Sequence, residues 1–197
     1  MCVCVCVCVC VCVVQLFTIM SKSDQTVAVI LDGCRNVTIG IANRTSVYDL
    51  IDPNGKSGSS PQHTISPKKT ESCSFCMITG LARGAVGVLT YNLHKKNSGL
   101  PKEKVAIMFS VPFNYIQYKN CLAIGIYDRD QECDLALYNE MSDGGPYKDK
   151  EMHGFVRKAA KDGGLTFEGS SLVIKATMTT VGESNLRVQV WDKPGDD

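Results

Sequence analysis

The chain has 197 residues, of which 44% are hydrophobic, 21% charged and 7% aromatic, with a formal net charge of +1; this is the balance of a globular chain, not of a disordered or collagen-like one. A core of this size buries about 70% of the unfolded surface, so a single domain stands without metal or disulfide staples. The near-neutral charge and the lack of a basic tract exclude nucleic acid as a main partner, because Lys and Arg neutralising phosphates supply most of that affinity.

Six of the eleven cysteines lie in the opening run MCVCVCVCVCVCV. Strict Cys/Val alternation is what a TG dinucleotide repeat encodes, TGT reading as Cys and GTG as Val, so residues 1–19 are expected to be translated repeat outside the fold, with Met20 as the start. Read instead as a signal or anchor, the uncharged stretch 1–20 has the length of a bilayer span. It lacks a Lys or Arg before the apolar run and a small-residue cleavage site, and its period of two with β-branched Val is poor signal-peptide chemistry. The next segment, residues 20–35, is a short arm that the pattern leaves open between helix and strand. Val27, Ile30, Leu31 and Cys34 fit an i, i+3, i+4, i+7 spacing, yet residues 27–31 are apolar on every side.

From residue 36 onward, short apolar or alternating runs recur between Gly, Pro, Asn and Asp, which predicts an all-β domain, an antiparallel β-sandwich flanked by one or two short helices and extending to residue 197. Strands are expected at Val37–Asn43, Val47–Ile51, Ser72–Thr79, Ala85–Leu93, Val105–Val111, Leu122–Tyr127, Leu172–Met178 and Leu186–Trp191. The connections DPNGKSGSSP, KKNSGLPKEK and SDGGPYKDK carry turn chemistry. Cys133–Met141, with Asp134 near its start and Leu135, Leu137, Tyr138 and Met141 on one side, predicts a short helix packed on a sheet.

No catalytic or metal constellation emerges. Cys73 and Cys76 form a lone C-x-x-C, two ligands short of a zinc site, and in a strand they face opposite sides. The other cysteines outside the opening run, Cys34, Cys121 and Cys133, make an odd, scattered set read as buried or free thiols. His63, His94 and His153 sit in unrelated contexts without a nucleophile motif. The glycines of G-A-V-G-V follow no P-loop or dinucleotide spacing and suit close packing within a sheet. Asn36-Val37-Thr38 and Asn43-Arg44-Thr45 are sequons expected to remain bare. The chain is therefore expected to be no enzyme, to carry no cofactor and to work by binding or assembly.

Several stretches together, VAIMFSVPFNYIQYKN at 105–120, ARGAVGVLTYNL at 82–93, VTIGIANRTS at 37–46, CLAIGIYD at 121–128 and ECDLALYNEM at 132–141, resemble in family order the actinoporin family of pore-forming cytolysins, and specifically its leaderless actinoporin-like members. The resemblance covers residues 36–191. It implies a β-sandwich flanked by two helices, soluble first and then membrane-associated, that binds phosphocholine headgroups, often those of sphingomyelin. The family then releases an N-terminal amphipathic helix to line an oligomeric, cation-permeable pore. Carried over, the headgroup site implied is Ser57, Val86, Ser110, Pro112, Tyr118 and Tyr138, and the membrane-contact loop Phe113, Tyr115, Ile116 and Gln117. Tyrosine faces suit a quaternary ammonium and hydroxyls suit phosphate oxygens.

The chain departs from the family pattern at four places. Gln117 and Cys121 stand where the membrane-facing loop carries tryptophans, which weakens interfacial anchoring. Ser142 and Asp143 replace a second tyrosine pair, and DGGPYKDK does not match the Arg-Gly-Asp tripeptide. Ser21–Gly33 is 13 residues, about 20 Å of helix against a hydrocarbon core of about 30 Å. These departures support an alternative, a non-lytic lipid- or glycan-binding module on the same fold, similar to fungal fruit-body lectins.

Overall fold

A computed structural model describes residues 35–55, 61–77, 84–96, 98–143, 147–148 and 154–194. The Cys/Val run, the arm up to residue 34 and Ser57 lie outside the described residues.

The strands are β1 (Asn36–Asn43), β2 (Tyr48–Asn54), β3 (Thr64–Ile65), β4 (Thr70–Cys76), β5 (Ala85–Lys95), β6 (Glu103–Val111), β7 (Cys121–Asp128), β8 (Tyr147–Lys148), β9 (Gly154–Ala159), β10 (Leu165–Glu168), β11 (Leu172–Met178) and β12 (Glu183–Asp192), with helix α1 (Leu135–Asp143) between β7 and β8. They form a five-stranded sheet in the order β10-β11-β12-β1-β4 and a seven-stranded sheet in the order β3-β2-β5-β6-β7-β9-β8. The expected all-β sandwich is the fold found, with one helix among the described residues. The pairing is antiparallel throughout except that β1 runs parallel to β12.

Alternation decides which face each residue joins. Along β6, Val105, Ile107, Phe109 and Val111 enter the core between the sheets, where they meet Leu89 of β5, Ile124 of β7, Ile39 of β1 and Val188 of β12. Their neighbours Ala106 and Met108 point the other way, into a second cluster with Cys121, Ala123, Phe155 and the helix residues Leu137 and Met141. The middle of the larger sheet is thus buried on both faces. Gly87 of the G-A-V-G-V stretch is small because of this core. A Cβ there would come within 2.9 Å of the Phe109 ring, which itself packs on Phe75 with centroids 4.7 Å apart.

The helix starts later than its sequence pattern suggested. The Asp134 carboxylate accepts the Leu137 N–H at 3.0 Å and serves as the N-cap. Four strands carried no readable signal. β3 and β8 are two residues long, β9 carries Arg157 and Lys158, and β10 is only Leu165–Glu168. One sequon residue is structural: Asn43 is fully buried, and its amide donates to the carbonyls of Tyr48 at 2.7 Å and Ile65 at 2.8 Å. Among the described residues, no helix is long and apolar enough to cross a membrane.

Burial also sets the chemistry of Cys73, whose thiol is pushed from 9.0 up to about 12. An acid whose folded value is raised contributes its full stability below its ordinary value and loses it as the pH climbs through the folded one. Stability should therefore fall between pH 9.0 and about 12, and Cys73→Ala should make that decline shallower. Urea unfolding across the interval checks this; equal slopes in the two proteins would contradict it.

Candidate functional site

Strand register builds the floor of the site. Val86 pairs with Ser110, Ser110 with Cys121 and Cys121 with Ala159, so one row crosses β5, β6, β7 and β9 on the helix-bearing face. The row lies at the end of the sheet where β6 runs out into Pro112, with its member Cys121 still in the apolar cluster of Leu137 and Met141. Tyr138 leans over it from α1, with the hydroxyls of Ser110 and Ser142 close enough to its phenol to affect its ionisation. Burial pushes the Tyr138 phenol up, and those two serine hydroxyls oppose the shift in part. At the other side of the row, the Arg157 guanidinium stands near the Cys121 thiol, which burial pushes up and the nearby positive charge draws down.

Of the headgroup residues named from the sequence, Val86, Ser110 and Tyr138 are therefore brought together, and Pro112 is buried at the end of β6. Tyr118 stands on the following loop with its ring 61% exposed. Chemically, the Ser110 and Tyr138 hydroxyls and the Arg157 cation can donate to phosphate oxygens, and the Tyr138 face can attract an ammonium by about 0.5–2 kcal/mol. Arg157 was missed in the sequence because β9 itself was.

The loop from Pro112 to Asn120 divides into an outward and an inward half. Phe113, Ile116 and Tyr118 are exposed, Ile116 almost completely, and Gln117 is exposed beside them. Tyr115 turns inward, its hydroxyl donating to Asn120 Oδ1 at 2.7 Å while the Arg35 guanidinium lies 4.8 Å from its ring centroid. The loop is held from within by the Asn114 carboxamide oxygen, which accepts Ile116 N–H at 2.9 Å, and by the Tyr118 N–H donating to Asn114 O at 3.1 Å. Arg35 adds a bond to Phe113 O at 3.2 Å. Asn120, buried at the loop's end, donates to Thr179 O at 2.8 Å and Val181 O at 3.0 Å, and its own carbonyl accepts Ala160 N–H at 2.8 Å.

Known proteins share this arrangement of strands and sequence. The family model described as sea anemone cytotoxic protein matches residues 17–192. The chain belongs to that family. Relatives of this family member include DELTA-alicitoxin-Pse1b of Phyllodiscus semoni, 30% identical over 164 residues that make up 79% of this chain and 65% of the relative, and DELTA-stichotoxin-Hcr4a of Radianthus crispa, 25% identical over 85% of this chain and 89% of the relative. The chain thus spans about two thirds of the length of the first, a little under that fraction. Among solved structures, the lipid binding protein Nakanori superposes with a TM-score of 0.55 at 8% identity, over 79% of this chain and 70% of its own, a likeness of fold. Homology to toxins of this kind is consistent with a chain that is not an enzyme.

Within the family, this member carries Cys121 where a loop tryptophan was the expectation, and that residue is not on the loop surface. It opens β7 inside the second apolar cluster. Asn120 is the residue on which the loop hangs. Asn120→Ala leaves the Val181 carbonyl and the Tyr115 hydroxyl without their partner and the Thr179 carbonyl with Ser184 alone, and should cost about 2–4 kcal/mol in denaturant unfolding. Exposed Gln117→Ala should stay within about 0.5 kcal/mol. A neutral Asn120→Ala would show that the loop does not depend on this amide.

Proposed function

We propose that the chain is a membrane-binding, pore-forming cytolysin that recognises phosphocholine headgroups, oligomerises on the bilayer and opens a cation-permeable pore. The observation that carries this reading is that the polar row under Tyr138 and the exposed loop stand at the same end of the sandwich. A headgroup held by Ser110 and Tyr138 places the bilayer against Phe113, Ile116 and Tyr118. In this reading Val86 and Pro112 shape the pocket, Tyr118 closes it and Ser57 completes it, while Gln117 and Tyr115 belong to the contact loop. Residues 20–35 are the arm, residues 36–197 the sandwich, and residues 1–19 stand outside it. The chain is soluble before it docks. Membership of a family of cytotoxic proteins supports the lytic half of the proposal.

A second reading, a non-lytic lipid- or glycan-recognition module, is favoured by one feature of the loop: polar Gln117 stands in its exposed part, where an interfacial tryptophan would anchor more strongly.

Flotation and dye release with phosphatidylcholine vesicles, with and without sphingomyelin, separate the readings. The full chain should bind and release dye, and the Tyr118→Ala, Tyr138→Ala double variant should lose at least about tenfold in both, as removal of two ammonium contacts implies. Binding without release would establish the second reading. No binding to either vesicle would overturn both lipid readings.

A further inference from the structure

Beyond the loop, a second exposed apolar side chain stands at the same end of the sandwich: Val181, 56% exposed, in the turn between β11 and β12. The turn is tied to the loop by Asn120 and Arg35 and closed within itself by Ser184. Asn120 donates to the carbonyls of Thr179 and Val181. Ser184 Oγ donates to Thr179 O at 3.0 Å. Arg35, which binds Phe113 O and lies over Tyr115, fills the space beside Gly182 so closely that a Cβ there would lie 2.6 Å from its Nη1. The Gly182 carbonyl in turn accepts the Asn36 N–H at 3.0 Å.

We infer that the Val181 turn is a second membrane-contact element, which enters the headgroup and acyl boundary together with Phe113, Ile116 and Tyr118 as one rigid, two-turn platform. The inference rests on the membrane-binding reading proposed above and names a further part of the surface that meets the lipid. A bilayer is the partner that fits. The patch joins aliphatic tips to aromatic rings and has cations at its base, Arg35 beneath the loop and Lys119 bonded to Tyr115 O at 2.9 Å, the combination that settles at an interface and tolerates lipid phosphate. The patch is also continuous with the loop proposed to touch the membrane. The other large exposed apolar residues among the described residues, Val47, Leu100 and Trp191, belong to the opposite end, where β1, β5 and β12 run out.

The opposite end supplies the control. In flotation on phosphatidylcholine and sphingomyelin vesicles, Val181→Asp should lower the partition of the full chain about tenfold, as Ile116→Asp does, while Leu100→Asp leaves it unchanged. The chain has a single tryptophan, so Val181→Trp made in a Trp191→Phe background reports on the turn alone. Its emission should shift to the blue on adding vesicles and be quenched by lipids brominated near the headgroup. If the unmodified chain binds neither vesicle, the parent reading falls and this one with it. If Ile116→Asp weakens binding while Val181→Asp does not and the Val181→Trp reporter stays unquenched, this inference is overturned and the parent reading stands. If Val181→Asp spares binding but abolishes dye release, the turn serves contacts between copies of the chain, which also overturns it. Thermal unfolding matched to the unmodified chain confirms that each exposed substitution leaves the fold intact.

Discussion

Strand β6 is obliged to be apolar on both sides, and the rest of the molecule is arranged around that obligation. Its odd-numbered residues from Val105 to Val111 fill the space between the sheets, and Ala106 and Met108 fill the space beneath α1. A slip of one residue would exchange the two sets and put small Ala106 where Ile107 is needed, so the register with β5 and β7 is fixed from both faces. Register in turn fixes the site. Ser110 is the next outward position after Met108, beyond the helix cover, and is therefore the first hydroxyl along the strand that solvent reaches. The helix is only nine residues long and would not form alone. Leu137 and Met141, both fully buried, seat it on the sheet, and that seating is what brings Tyr138 over Ser110.

A second, polar constraint acts at the end of the sandwich. Three connections meet there: the loop after β6, the turn before β12 and the turn that follows β9. Each brings carbonyls or N–H groups against buried Asn120, where a group left unpaired costs about 1–3 kcal/mol. Asn120 answers all three with one carboxamide and its own backbone. Because its partners come from distant parts of the chain, they cannot move separately without leaving a buried group bare. The exposed rings and aliphatic tips are therefore carried on a frame that is ordered from inside, although they have few neighbours of their own.

Much of this was legible in the sequence where alternation alone decides. β11 has the bounds that alternation gave it, and β1, β5, β6 and β7 differ by one or two residues at their ends, because each places apolar side chains on a buried face at every second position. Partners were less legible than faces. Nothing in a period of two says that β1 lies parallel to β12, or that Val86, Ser110 and Cys121 share a row, since both follow from pairing across the sheet. β9 was hidden by Arg157 and Lys158, which interrupt its short apolar run, although Phe155, on the same face as Arg157, enters the helix cluster and Val156 packs on the core between the sheets. Asn43 and Asn120 were hidden for another reason. Asn43 was read as the end of a strand and a bare sequon and Asn120 as part of a loop motif, and only the folded chain reveals that both are buried struts. Cys121 shows the same limit: its place beside a loop motif suggested a surface position, whereas strand β7 begins at that residue and turns it under the helix.

The frame bears on how a loop without tryptophan could hold a membrane. Docking through mobile segments loses the conformational freedom of each immobilised side chain, about 0.5–1.5 kcal/mol apiece, and strong interfacial anchors offset that loss. In this chain the loop already has its turn bonds from Asn114 and Tyr118 and its tie to Asn120 before any lipid is present. Weaker anchors then suffice if they arrive together, because the first contact raises the local concentration of the surface for the next. That condition is geometric. It requires the apolar tips to be fixed relative to one another and to the row proposed to hold the headgroup, and the same residues meet both requirements: β6 ends at Pro112 with Ser110 behind it, and Asn120 both closes the loop and directly precedes Cys121, the next member of the row. A change in Asn120 would therefore disturb the proposed contact surface and the proposed headgroup site at once, whereas changes at Ile116 or Val181 would alter one side chain of that surface and leave the row intact.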